Sequence, residues 1–289
     1  MLLIKKNELS ERFLAFADHL PNCHACQYGK QKWRPFPKST WKATHKLHLI
    51  HIDASDPQKT ISLAGSWHYI AFIDDFTRLC WIFFLKFKSE VIGVFWKFKK
   101  MVENQSGCKI QVLRSDNGKE YASEEFDLFS QKVGIEHQFT TPYTPQQNGV
   151  SQKRNIYIME MTRCMLHDKE LPKKFWAGAV SIVVFLQNRL PTKALKNKTP
   201  FEAWYSYKPS FNFLRVFDCV CFSHIPQVKH VKLDKKSEPD IFVGYSSTSK
   251  AYKVYQPQTG ELIVSKDVFF NEDEKWNWEQ TQETSISKY

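Results

Sequence analysis

The chain of 289 residues and 34.1 kDa is 42% hydrophobic and 25% charged, with 9 Trp, 11 Tyr and 23 Phe. That is enough apolar surface to exclude wholesale disorder, and enough length for one large domain or two ordinary ones. Ten Gly exclude a collagen-like or glycine-rich low-complexity chain. The 41 Lys and Arg outnumber the 30 Asp and Glu, giving a net charge of +11, which favours a polyanionic partner through counterion release.

The start, Met-Leu-Leu-Ile followed by Lys5, Lys6 and Glu8, lacks the long apolar run of a secretory signal. An intracellular protein, nuclear or cytoplasmic and not secreted, is expected. Phe175 to Leu186, the longest uncharged apolar run, is too short for a membrane span. Seven cysteines argue against a disulfide framework. Cys80, Cys108, Cys164, Cys219 and Cys221 stand in apolar surroundings and read as small core residues. Cys23 and Cys26 instead make a C-x-x-C step, the spacing at which two thiolates grip one Zn2+. His19 and His24 are the only local candidates to complete the set, and His24 lies inside the knuckle, so a full zinc site is not expected from this chain alone.

Between His19 and Ile52 no acid occurs, while Lys30, Lys32, Arg34, Lys38, Lys42 and Lys46 alternate with Tyr28, Trp33, Phe36 and Trp41. Interleaved cations and flat rings suit phosphate contact with base or sugar stacking, although a solvated basic linker has the same composition. A second basic cluster lies at Lys229, His230, Lys232, Lys235 and Lys236. The last residues, 271–289, turn acidic and are expected to be a disordered tail.

The pattern predicts strands over 47–56, 67–74 and 79–87, the last two parted by the polar break Asp75 to Arg78. Ser89 is positioned to cap a helix to about Gln105, with Val91, Val94, Phe95, Phe98 and Val102 at helical spacing. A strand at 109–115, a helix at 123–132, a strand at 135–140 and helices at 150–167 and 173–189 follow, which describes a mixed α/β sheet with helices on its faces. From about Pro200 to Pro209 the character changes. Strand signals at 217–223, 241–245, 251–256 and 261–269 predict a small all-β module.

Two acids stand out. Asp53 lies inside an otherwise apolar strand, where a lone carboxylate is costly unless paired or bound to metal. Asp116 ends the strand 109–115, where α/β sheets place ligands, although an Asp-Asn-Gly bend accounts for it equally. Pointing to one sheet end, the two could hold a divalent metal.

Motifs along nearly the whole chain resemble the integrase region of a copia-type LTR retrotransposon polyprotein. They are C-x-x-C-x-x-G-K at 23–30, His-Ile-Asp at 51–53, Phe-Ile-Asp-Asp-Phe-Thr-Arg at 72–78 and Leu-Arg-Ser-Asp-Asn-Gly-Lys-Glu-Tyr at 113–121. Thr-Pro-Tyr-Thr-Pro-Gln-Gln-Asn-Gly-Val at 141–150, Thr-Pro-Phe-Glu-Ala-Trp at 199–204, Leu-Arg-Val-Phe at 214–217, Phe-Val-Gly-Tyr at 242–245 and Ser-Lys-Asp-Val-Phe at 265–269 continue the series. The resemblance implies a truncated zinc knuckle and basic linker over 1–40, an RNase H-like core with a mixed five-stranded sheet over 41–205, and an SH3-like β domain over 206–270. It also implies DNA as partner, a homo-oligomer and action in the nucleus, and it makes Asp74 and Asp75 parts of a structural turn.

The family uses three carboxylates to bind two Mg2+ or Mn2+ ions, the third a Glu separated by 35 residues from the second Asp. That spacing after Asp116 lands on Gln152, with Lys153 and Arg154 beside it as expected DNA contacts. An amide offers one neutral oxygen where a carboxylate offers two anionic ones, so at least one ion should be weakened. Glu160 cannot replace it, being about 12 Å further along the helix at 1.5 Å per residue. Two further departures are the missing His pair upstream of Cys23 and Asp218 where the family has Gly. Two functions stay open: an integrase-type polynucleotidyl transferase impaired at position 152, and a catalytically silent nucleic-acid binder or element remnant. A zinc-knuckle RNA binder is disfavoured by the absent His pair.

Overall fold

The computed structural model describes residue 28 and residues 41–140, 148–224, 235–246 and 248–278. The chain divides into two units between positions 40 and 41, and both of its sheets belong to the second, which begins at Trp41. The first sheet has the order β3-β2-β1-β4-β5, built from β1 (Leu49–Ala54), β2 (His68–Asp74), β3 (Cys80–Leu85), β4 (Val112–Ser115) and β5 (Glu136–Phe139). β1, β2 and β3 form an antiparallel meander, whereas β4 and β5 run parallel to β1. A mixed sheet results because the return from β3 to β4 is a helix and not a hairpin.

That helix, α1 (Val91–Ser106), buries Val91, Phe95, Phe98 and Val102 on one stripe. Ser89 does not cap it: the N-cap position is Glu90, which makes no side-chain cap bond. Helix α2 (Glu124–Val133) is capped by Ser123, whose side chain accepts from the Phe126 amide. Both helices cover the sheet face that carries Ile50, Ile52, Ile70, Phe72 and Leu113. Within that core Phe72 and Phe98 stack at 4.1 Å. The opposite face presents Tyr69, Ala71 and Ile73 to α3 (Gly149–Asp168) and α4 (Trp176–Arg189), through Ile158, Trp176, Val180, Val183 and Val184. On the edge strand β3, Asn188 of α4 pairs with both backbone groups of Cys80, at 2.9 and 2.7 Å, so these polar groups are satisfied without a further strand.

A short helix, α5 (Pro200–Tyr205), leads to a second five-stranded sheet in the order β10-β6-β7-β8-β9, all antiparallel. Its strands are β6 (Cys219–His224), β7 (Ser237–Tyr245), β8 (Tyr252–Gln256), β9 (Glu261–Ser265) and β10 (Val268–Lys275). The segment 261–269, expected as one strand, breaks at Lys266 and Asp267 into β9 and β10. The acidic tail is corrected as well: residues 271–275 belong to β10, where Asn271 pairs with Val220 and Lys275 with Cys219, and Trp276 and Trp278 pack on the apolar cluster behind it. Cys164 also departs from expectation, being exposed on α3.

Helix α4 serves both sheets. Val180, Val183 and Val184 face the first, while Ala179, Ile182 and Leu186 pack with Phe217 and with Cys221, Phe242 and Val254 of the second. A Cβ at Gly178 would lie 3.0 Å from the Val243 carbonyl oxygen, so glycine lets the β7 backbone approach the helix. Beside this junction Asp218 adopts φ 68, the left-handed conformation that favours glycine. Its amide donates to the Phe242 carbonyl at 3.0 Å. Its carboxylate is buried, and neither oxygen finds a hydrogen-bond partner among the described residues. Burial drives this acid up to about 7, with Lys169 and Lys275 opposing the shift.

Stability should respond at both positions. Gly178→Val forces a branched side chain against the Val243 carbonyl and should cost about 1–3 kcal/mol, read from the urea midpoint. At Asp218 the raised folded-state value means that the stability contributed by the neutral acid is present below about pH 4 and is lost as pH rises through about 7. Asp218→Gly should therefore stabilise the protein by about 2–4 kcal/mol at pH 8 and stay within about 1 kcal/mol of the unchanged chain at pH 4, measured by urea unfolding at both pH values.

Candidate active site

The parallel register of β1 on β4 sets Leu49 beside Val112, Ile50 beside Leu113 and His51 beside Arg114. Carried two residues further, the same register sets Asp53 beside Asp116, both directed to one face because side chains alternate along a strand. Since Ile50 and Ile52 fill the core under α1, Asp53 faces α3. Burial raises its carboxyl to about 7, with the Asp116 charge adding to the rise and an Asn155 hydrogen bond opposing it. The two sequence-predicted acids are thus brought together, close enough to repel.

Asp116 sits in the bend after β4. Its Oδ1 accepts from the Gly118 amide at 3.0 Å, and its carbonyl accepts from the Ser115 hydroxyl at 2.8 Å. The Ser115 oxygen is in turn 2.9 Å from His137 Nε2, and Asn117 ties the bend to β5 by donating to the Thr140 carbonyl at 2.7 Å. A Cβ at Gly118 would meet the Glu120 carboxylate at 2.9 Å and Asp116 Oδ1 at 3.1 Å, so a side chain there would displace the Glu120 carboxylate from its place beside Asp116.

Gln152 lies in the first turn of α3, partly exposed. Three residues on, Asn155 shares its side of the helix and reaches the site: its Oδ1 accepts from the Tyr69 hydroxyl at 3.3 Å, leaving the amide nitrogen to donate to Asp53. Asn155 was not among the sequence-predicted residues, because nothing in the local pattern shows which face of α3 meets β1. Glu120 and Tyr121 were missed because their approach to the acids depends on how the bend after β4 folds back, which the local pattern does not show. Glu120 lies across Gly118 from Asp116, but its other oxygen pairs with Lys88 Nζ at 3.0 Å. Tyr121 is buried, and its hydroxyl is pushed well up by burial and then by Asp53, Asp116 and Glu120.

Two converging carboxylates fit one divalent cation by the chemistry of their oxygens and by the repulsion it would relieve. Among the described residues no group of three or more His, Cys, Asp or Glu is arranged to hold a metal, and Glu120 is engaged by Lys88. Asp74 and Asp75 serve the β2–β3 turn. Asp74 accepts from the amides of Leu47 and Thr77 and from the Thr77 hydroxyl, at 2.8, 2.8 and 2.6 Å. Burial pushes Asp75 up, yet His51 and Arg78 outweigh it and hold the acid down at about 2.

The expected nucleic-acid contacts divide. Lys153 is exposed beside Gln152. The Arg154 guanidinium donates to Gln187 Oε1 at 2.5 Å and to the Arg78 carbonyl at 3.0 Å, joining α3 to α4 and to the β2–β3 turn. Lys30, Lys32, Arg34 and Lys38, like Cys23 and Cys26, lie outside the described residues, as does most of the motif at 141–150. No helix among the described residues is long and apolar enough to cross a membrane.

Residues 43–145 match the family described as Integrase core domain, and residues 219–285 that described as Retroviral polymerase SH3-like domain. The Retrovirus-related Pol polyprotein from transposon TNT 1-94 of Nicotiana tabacum is 40% identical over 252 residues, covering 87% of this chain and 19% of that protein. The corresponding polyprotein from transposon RE1 of Arabidopsis thaliana is 36% identical over 253 residues, 87% of this chain and 17% of its own length. The chain thus spans less than a fifth of the curated relatives it matches. Among solved structures, a chain of the simian T-cell lymphotropic virus intasome in complex with PP2A regulatory subunit B56 gamma shares the fold, with TM-score 0.50 at 18% identity over 86% of this chain and 87% of that one. With an RNase H-like core whose two acids meet across β1 and β4, and an SH3-like sheet behind it, the chain belongs to the retrovirus-related Pol polyproteins of transposons, of which it is the integrase region.

Proposed function

We propose that this chain is a DNA-binding polynucleotidyl transferase domain for DNA integration whose phosphoryl transfer is impaired at Gln152. The observation that carries the reading is the meeting of Asp53 and Asp116 on the face covered by α3, where Asn155 reaches Asp53, with an amide three residues before it where the family has its third acid. The intasome in the comparison is a nucleoprotein assembly by its name, and the net charge of +11 here suits the same class of partner. A homo-oligomer, acting where its DNA lies in an intracellular compartment, belongs to the same proposal.

Asp53 and Asp116 would hold the first divalent ion, Mg2+ or Mn2+. Bound there, the metal supplies Lewis-acid activation of the attacking oxygen and stabilises the developing charge. Asn155 keeps the Asp53 carboxylate oriented and favours its ionised form. Ser115 and Asn117 fix the bend that carries Asp116, while Lys153, exposed next to Gln152, is placed to meet a phosphate. A second ion would need an anionic ligand from α3, and Gln152 provides none.

The purified full chain with Mg2+ or Mn2+ should show little or no end processing or strand transfer on duplex DNA ends. Gln152→Glu should raise turnover at least about tenfold, and adding Asp116→Asn to that variant should remove the gain. Robust turnover by the unchanged chain, abolished by Asp116→Asn alone, would overturn the impairment, and no gain from Gln152→Glu would favour a silent nucleic-acid binder. Binding to duplex DNA of arbitrary sequence should weaken at least about tenfold between 50 and 200 mM salt in fluorescence anisotropy; affinity indifferent to salt would contradict phosphate contact.

A further inference from the structure

Away from the acids, the structure presents a group of rings that the reaction does not use. Helix α5 is pinned from inside by Trp204, which is buried and meets Trp81 edge-on at 4.7 Å. Lys46 holds it from below, its Nζ donating to the Trp204 carbonyl at 2.5 Å. With Trp204 turned inward, Phe201 and Tyr205, one helical turn apart, share a neighbouring face. Thr199 caps the helix start through the Glu202 amide at 3.1 Å. Ser206, at φ 66, reverses the chain after the last turn, and Tyr207 folds back onto the helix. The ring centroids of Phe201, Tyr205 and Tyr207 lie 4.6, 5.3 and 6.0 Å apart.

Arg189 stiffens this group. Its guanidinium sits 3.5 Å from the Phe185 ring centre and 4.7 Å from that of Phe201, and donates to the Phe185 carbonyl at 3.1 Å. Two of the rings nevertheless keep a face open to water, Tyr205 being 38% and Tyr207 61% exposed. The chain from 190 to 210 carries Lys193, Lys196, Lys198 and Lys208 against the single acid Glu202. All four lysines are exposed, and none forms an ion pair among the described residues. Trp204 packs on Trp81 of β3, and Phe201 on Arg189 at the end of α4, so the group lies at the β3 edge of the sheet, with β2 between that edge strand and the β1 strand that carries Asp53.

Rings held in place, with Tyr205 and Tyr207 open to solvent and four lysines against one acid in the same stretch of chain, suit a ligand with both flat apolar faces and regular negative charge. Paired bases show neither face to such a surface, but an unpaired strand does. A second copy of this basic chain would bring like charge against the lysines. We propose that Tyr205 and Tyr207, with Lys193, Lys196, Lys198 and Lys208 beside them in the chain, form a docking platform for an unpaired nucleic-acid strand, bases on the rings and phosphates on the lysines. The proposal rests on the reading of this chain as a DNA-handling integrase region and adds a strand contact remote from the acids.

Anisotropy of the full chain with labelled oligothymidine of about 20 nucleotides and with a blunt duplex of about the same length tests it. Tyr205→Ala with Tyr207→Ala should weaken oligothymidine binding about tenfold or more and duplex binding less than about twofold, and Tyr205→Phe with Tyr207→Phe should restore it. Circular dichroism and the urea midpoint check folding; Tyr207→Ala alone, at the more exposed ring, should still weaken oligothymidine severalfold should the pair disturb it. Unchanged oligothymidine affinity, or an equal loss on both DNAs, would overturn the platform. So would a change in sedimentation with strand affinity kept, which would make the surface a contact between copies. Duplex binding without oligothymidine binding would overturn the platform and leave the integrase reading standing, whereas binding to neither would overturn both.

Discussion

The parallel pairing of β1 with β4 governs the rest of the site. Parallel neighbours need a crossover, and here β2, β3 and α1 supply it, burying Phe72, Phe95 and Phe98 on the way. Its register places two acids far apart in sequence at one sheet end and on one face. A slip of one residue would turn Asp53 into the core under α1. The apolar neighbours Ile50 and Ile52 forbid that slip, so the core that stabilises the sheet also aims the acid.

From that meeting the electrostatics follow. Two carboxylates in a half-dry pocket cannot both ionise freely, and Asp53 carries the strain, raised to about 7 by burial and by Asp116. The Asn155 hydrogen bond relieves part of it. A third carboxylate from α3 would add repulsion that only bound cations could offset, whereas the Gln152 amide adds none. The change that weakens the proposed chemistry therefore eases the metal-free fold, which is the usual opposition between stability and a strained site.

The β domain depends on the core for part of its burial. Helix α4 gives one stripe to each sheet, and Tyr245 of β7 stacks on Phe185 of the same helix at 4.5 Å. Lys275 at the end of β10 donates to the Asp168 carbonyl at the end of α3. Within this joint Asp218 runs against two preferences at once, a left-handed backbone without glycine and a buried carboxylate without a hydrogen-bond partner among the described residues. Nothing in the joint uses the carboxylate.

Composition and periodicity by themselves determined that the chain folds, that it is basic, that its α/β part is a mixed sheet and that a small all-β module follows. They also singled out Asp53, because a carboxylate in an apolar strand is costly wherever it occurs. Short-range signals served less well where a segment was brief: α5, only six residues, is shorter than the window over which helical spacing shows, and Lys266 and Asp267 gave too weak a break to part β9 from β10. Only the tertiary structure decided that Asn155 meets Asp53, that Arg154 is committed to Gln187 and Arg78, that Glu120 answers to Lys88, and that α4 is shared between two sheets. The physical reason is that residue type and spacing report which side of an element is apolar, whereas hydrogen bonds and charge contacts between distant elements depend on register and crossing geometry, which no local pattern carries.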